Sequence, residues 1–184
     1  MGETPLHSFL KNVAQAWLLQ LDCVIVGSEV PLTVLGQKRI HELDNHFIVD
    51  ACGLGERVVE ERLGIQYIGN VLRGVEVKVS ASDFRNGFLC AACNYNYVLT
   101  PMRLVTPSSL PDRVGLLEYN KYKFHCCYHE DSSISLEGLR LVRPARHRVI
   151  PQYQIDNATT VLVKRHLNGY TAKLYERIKT SPDT

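Results

Sequence analysis

The sequence predicts an α/β fold in which a mixed β-sheet is flanked by helices within a single domain. Three observations carry this: apolar residues recur at helical spacing near both ends of the chain, segments between them alternate with a period of two, and the length suits one core. The 184 residues, 45% hydrophobic and 22% charged, are ordinary for a globular protein and short for two domains. Residues 1–150 read as the main domain and 151–184 as a basic helical extension packed on it.

In order along the chain, Thr4-Pro5 marks a helix start, with Thr4 as cap and Pro5 in the first turn. Leu6, Leu10, Val13, Trp17 and Leu21 continue it as an apolar stripe, so residues 5–20 form a scaffold helix lying on the sheet. Residues 22–30 read as the first strand, ending near Pro31, and residues 31–45 as a polar loop or irregular hairpin. His46 to Cys52 is a second strand, with Asp50 near its end before Gly53-Leu54-Gly55. The 25 residues between Asp50 and Glu76 exceed what a tight hairpin needs, so a short helix or an extended arm is expected over 53–70.

The stretch 71–80 is the next strand. Val75, Val77 and Val79 alternate with Glu76, Lys78 and Ser80, which puts Glu76 and Lys78 on one face. Ser80 and Ser82 are candidate caps for a helix that opens at Asp83-Phe84 and runs to about Cys93, and Asp83 in its first turn suits the helix dipole. Tyr95 to Thr100 is a strand with Tyr95, Tyr97 and Leu99 on one side, stopped by Pro101. A loop with a helical turn over 104–111 leads to strands at 114–119 and 121–129, a turn at 132–135 and a short strand or loop at 136–142. Asp156-Asn157 can cap a last helix that packs through Val163, Leu167, Tyr170, Leu174 and Ile178.

A carboxylate beside an ammonium on a sheet face, as Glu76 and Lys78 are, is either a weak cross-strand pair or half of a site in which the acid holds a hard divalent cation. The second reading needs another acid, and Asp50 meets Glu76 at one sheet end if the two strands pair. Asp50-Ala-Cys-Gly-Leu, Glu76-Val-Lys78-Val-Ser-Ala-Ser-Asp83-Phe84, Asn94-Tyr-Asn-Tyr-Val-Leu-Thr-Pro101 and Leu110-Pro-Asp-Arg-Val-Gly115-Leu-Leu-Glu follow in order. Together these strings, over roughly residues 20–120, resemble the PD-(D/E)XK nuclease superfamily, in particular its small phage and bacterial branch akin to DNA-repair nucleases.

The resemblance implies a restriction-endonuclease-like mixed sheet and metal-dependent DNA cleavage with Mg²⁺ or Mn²⁺. Asp50 and Glu76 would hold the ion, with the Val77 carbonyl and Glu29 as further oxygen ligands. Lys78 would assist the attacking water. Arg85 is a candidate phosphate contact.

The formal charge of +2 says little, but residues 140–179 hold nine Lys/Arg against Asp156 and Glu176. Arg140, Arg143, Arg146 and Arg148 around Pro144 suit an extended segment that tracks nucleic-acid phosphates. Equally, such a run can be a solvated surface. The competing class is a non-catalytic module of the same fold that grips nucleic acid or protein. A zinc site is a further alternative, with Cys90-x-x-Cys93 supplying one half and Cys126, Cys127, His125 or His129 the other. The sequence has no apolar run long enough to span a membrane and no secretory pattern at Met-Gly-Glu-Thr-Pro, so a cytoplasmic protein with reduced cysteines is expected. The last helix is a candidate homodimer contact.

Overall fold

The computed structural model describes residues 4–33, 46–62, 65–88, 91–166 and 170–179. The chain folds as a mixed α/β protein whose six-stranded sheet is flanked by helices, in the order α1 (Pro5–Gln20), β1 (Cys23–Thr33), β2 (His46–Arg62), β3 (Ile65–Val77), α2 (Ala81–Arg85), β4 (Tyr95–Pro101), β5 (Val114–Tyr119), β6 (His125–Tyr128), β7 (Ile134–Glu137), β8 (Leu139–Arg143), α3 (Gln152–Arg165) and α4 (Tyr170–Ile178). The sheet order is β1-β2-β3-β4-β5-β8, and β6 with β7 makes a separate two-stranded ribbon. β1, β2 and β3 are antiparallel neighbours, while β3, β4 and β5 run parallel. The parallel strands therefore end together, at Val77, Pro101 and Tyr119.

The Thr4 hydroxyl caps α1 by accepting from the His7 N–H. Its apolar stripe, Phe9, Leu10, Val13, Ala14 and Trp17, packs with Val26, Ala51, Val75, Val77, Tyr97 and Leu99 on one sheet face. α4 reaches the same cluster through Leu174 and Ile178, and the β6–β7 ribbon through Cys126 and Ile134. The other face is covered by α3, whose Ile155, Ala158 and Leu162 pack against Val30, Val49, Cys52, Leu54 and Leu72. The extension from 151 onward thus contributes to the core on both faces. A smaller cluster, Val98, Val105, Leu110, Val114 and Leu116, lies beneath the β4–β5 connection.

Several boundaries differ from the sequence reading, each for a local reason. Of the short helix or extended arm expected over 53–70, the described residues form the arm: 53–62 and 65–70 belong to the long β2–β3 pair, which runs from Ala51↔Val75 out to Arg62↔Ile65 with one bulge near Val58. Gly53 lets this ladder lie close to β1, since a Cβ there would sit 2.7 Å from the Cys23 Sγ. The helix expected through Cys93 stops at Arg85, and Gly87, with φ 88°, takes the left-handed turn that ends it. β1 runs through Pro31 to Thr33, and the expected loop at 34–45 lies outside the described residues. The last helical segment begins at Gln152 after Pro151, ahead of the expected cap at Asp156. The kink expected at Asn168-Gly169 falls outside the described residues.

Candidate functional site

Backbone register brings three acidic residues into a row across three strands. Ala51 pairs with Val75, so the next step sets Asp50 opposite Glu76; Ser28↔Ala51 and Val30↔Val49 flank Glu29 opposite Asp50. The row coincides with a break in strand alternation. Val26 and Ala51 pack under α1, whereas Val30 and Val49, an even number of residues away, pack under α3. A regular strand keeps such positions on one face. The switch falls at Glu29, whose φ of 52° is left-handed for a residue with a side chain, a conformation that costs about 1–3 kcal/mol and gathers at functional sites.

Asp50 is held from several directions. The Val77 N–H donates to Oδ2 at 2.8 Å. The Lys11 Nζ lies 3.4 Å from Oδ1 and donates to the Glu29 Oε1 at 3.0 Å, so one ammonium bridges two acids. The His7 Nε2 stands 3.6 Å from the Asp50 Oδ2 and 3.2 Å from the Val77 carbonyl oxygen. Burial works to raise the Asp50 pKa, but the His7 hydrogen bond, the Val77 N–H and the charges of His7 and Lys11 outweigh it and hold the carboxyl below its usual value. The same contact raises the His7 pKa, against the opposing effect of burial.

Glu76 is only 8% exposed, and its Oε1 is buried with no hydrogen-bond partner among the described residues. Burial, and then the Asp50 charge, push its pKa up to about 8, with Lys78 opposing. The Lys78 ammonium is fixed by Asp83, whose Oδ1 lies 3.3 Å away. Asp83 also accepts the Val79 N–H at 3.1 Å while its own N–H donates to the Ser80 hydroxyl at 3.1 Å, a reciprocal cap. Its location therefore has a second explanation beyond the helix dipole, since it anchors Lys78. The Lys78 N–H donates to the Leu99 carbonyl, tying this corner to β4.

Asp50, Glu76, Val77 and Lys78 thus gather at one sheet end, with Glu29 at its margin, 59% exposed. Arg85 closes α2 and is exposed. Of the expected phosphate-tracking arginines, Arg140, Arg143 and Arg146 have side-chain partners within the fold. The Arg143 guanidinium donates to the carbonyls of Val114, Pro107 and Pro111 at 2.7, 2.8 and 2.6 Å. Arg140 pairs with the Glu118 carboxylate at 2.7 Å, and Arg146 lies 3.6 Å from Asp112. Arg148 is pinned through its backbone to Asn94. Asn94 also takes the Leu72 N–H, and Asn96 closes a turn on Cys93, which gives the Asn-Tyr-Asn-Tyr string a structural purpose.

Two residues of this site escaped the sequence reading, His7 and Lys11 of the supposed scaffold helix. Their signal is the four-residue spacing that puts them side by side on one helix face. The zinc arrangement does not form: Cys93 belongs to the cluster under α3 and Cys126 to the one under α1, with the sheet between them, and Cys90 lies outside the described residues. The described cysteines 23, 52, 93, 126 and 127 are free thiols. Among the described residues no three His, Cys, Asp or Glu side chains form a group placed to hold a metal ion. No helix among them is long and apolar enough to cross a membrane.

No family model matches the chain, and no curated protein matches it. Among solved structures it is similar to a protein of unknown function from Silicibacter pomeroyi, at 18% identity and a TM-score of 0.48, over 95% of this chain and 92% of the other.

Proposed function

We propose that this protein is a metal-dependent phosphodiesterase that cuts DNA, with Asp50 and Glu76 holding Mg²⁺ or Mn²⁺. The supporting observation is the buried Glu76 Oε1, which has no hydrogen-bond partner among the described residues and belongs to a carboxyl repelled by the Asp50 charge. A cation between the two acids would relieve both conditions. Ions of the Mg²⁺ type take one or two protein carboxylates and keep several waters, so a pair of acids fits them although the described residues form no three-ligand cage. Such an ion supplies charge neutralisation and an acidified water when bound.

The chain's own groups do the rest. Lys78, steadied by Asp83, positions the attacking water and balances charge building on the phosphate. Lys11 and His7 fix Asp50, and Glu29 shares Lys11. The Val77 carbonyl, a further oxygen ligand by the resemblance, faces His7.

One observation favours a second reading, a binding module that has kept this fold without cutting. The Lys11 ammonium already sits between Asp50 and Glu29, as an internal cation would. The two readings separate in a cleavage assay on single-stranded, double-stranded and branched DNA with Mg²⁺, Mn²⁺ or EDTA. Metal-dependent cutting that falls at least about 100-fold in both Lys78→Ala and Glu76→Gln is expected. Unchanged cutting in Glu76→Gln would remove the assignment, and no cutting with EDTA-insensitive binding would favour the module.

A further inference from the structure

A groove lies at the ends of the parallel strands β4 and β5, the sheet edge at which β3 also ends, at Val77. It has two connected parts that share Met102 and Asn120. The first, about 210 Å³, is apolar and is lined by Leu6, Tyr119 and Tyr122. Tyr122 is 86% exposed, with the Lys121 ammonium 5.3 Å from its ring centroid. The second part, about 440 Å³, is basic and carries Arg103, Lys123 and Arg140. Glu118 at its floor is matched by Arg140 at 2.7 Å. Arg103 and Lys123 are exposed, and among the described residues no ion pair engages either side chain. The basic part therefore retains two uncompensated cations beside an aromatic shelf.

We infer that this groove binds the strand flanking the site as single-stranded nucleic acid, with an unstacked base on Tyr122 and the adjoining phosphate between Arg103 and Lys123. A ring reached only from outside suits a base that has left its stack, and stacking with cationic neighbours is how single strands are gripped without sequence readout. In a duplex the bases are already stacked, so Tyr122 would find nothing to take. The location agrees with the tendency of ligands to sit outside the carboxyl ends of parallel strands. The inference rests on the phosphodiesterase reading for the nature of the ligand, while its test needs no cleavage.

The test is fluorescence anisotropy in EDTA with a labelled oligo(dT) strand and the matching oligo(dT)·oligo(dA) duplex. The wild type is expected to bind the strand about tenfold more tightly than the duplex, and Tyr122→Ala to weaken strand binding about tenfold, leaving the duplex unchanged. Arg103→Ala with Lys123→Ala should flatten the salt dependence of strand binding, as loss of two phosphate contacts requires. All three side chains are exposed, so folding is not at stake. Equal affinity for strand and duplex, an unaffected Tyr122→Ala, or no binding at all would overturn the groove. A protein that binds strands this way yet cuts nothing would overturn the enzyme reading and leave the groove standing.

Discussion

At the scale of single residues, the site is a set of charges that need one another. Asp50 accepts one backbone N–H and faces the His7 and Lys11 side chains of α1, and Lys11 is almost wholly buried. Removing one member of a buried ion pair strands the other, at a cost of about 3 kcal/mol. Asp50→Ala is therefore expected to lose about that much stability in urea unfolding, besides any loss of activity. Asp50→Asn keeps the shape and can still accept the Val77 N–H, so it should lose less. Since the Asp50 contact is the main cause of the raised His7 pKa, the His7 ring in Asp50→Asn should titrate at lower pH than in the wild type by NMR. An unmoved His7 titration would mean that the imidazole does not sense Asp50. For this reason Asp50→Asn tests metal chemistry more cleanly than Asp50→Ala.

At the scale of elements, what was legible depended on periodicity. Helix α1, the Glu76 strand and the Tyr95 strand carry unbroken patterns and were readable from the chain alone. The long β2–β3 pair was not, because Gly53, Gly55, Gly64 and Gly69 interrupt it and the run Glu60-Glu61-Arg62 reads as polar loop. α2 was read too long because apolar residues beyond Gly87 imitate a continuing stripe. The meeting of Asp50 with Glu76 followed from assuming that two strands pair, but the cations from α1 depended on how a helix docks, which no local pattern encodes. The arginine run is ambiguous for the same reason: a guanidinium that tracks phosphate and one that binds carbonyls look alike in sequence. Arg143 satisfies three carbonyls between the β4–β5 connection and β8. Hydrogen bonds to a charged group contribute about 1.5–3 kcal/mol each, less where they are exposed, as two of these three are. Arg143→Ala should thus cost about 2 kcal/mol, lowering Tm by about 4–8 °C at this chain length, with nucleic-acid affinity unchanged. A weakened affinity at unchanged Tm would return Arg143 to the binding surface.

At the scale of the whole molecule, the sheet collects opposing charge effects into one pH profile. Asp50 has a folded pKa below its usual value, so it stabilises the fold above the unfolded carboxyl pKa and loses that contribution as pH falls through its folded value. Glu76 works in the opposite sense. Its pKa rises from 4.5 to about 8, so between those values the native chain holds a proton that the unfolded chain has released, and stability declines as pH rises across this window. His7, also raised, adds a smaller loss above its unfolded value of 6.5. The metal-free protein should therefore be most stable on the acid side of neutrality and lose a few kcal/mol by about pH 8. Glu76→Gln removes the titrating carboxyl, so unfolding followed in EDTA should show a flatter profile and a variant more stable than the wild type at pH 8. Adding Mg²⁺ at pH 8 should stabilise the wild type and leave Glu76→Gln nearly unaffected, because an ion between Asp50 and Glu76 stabilises the ionised form of the acid that burial disfavours. A wild-type profile that stays flat from pH 5 to 8 would show that Glu76 is already ionised at neutral pH without metal.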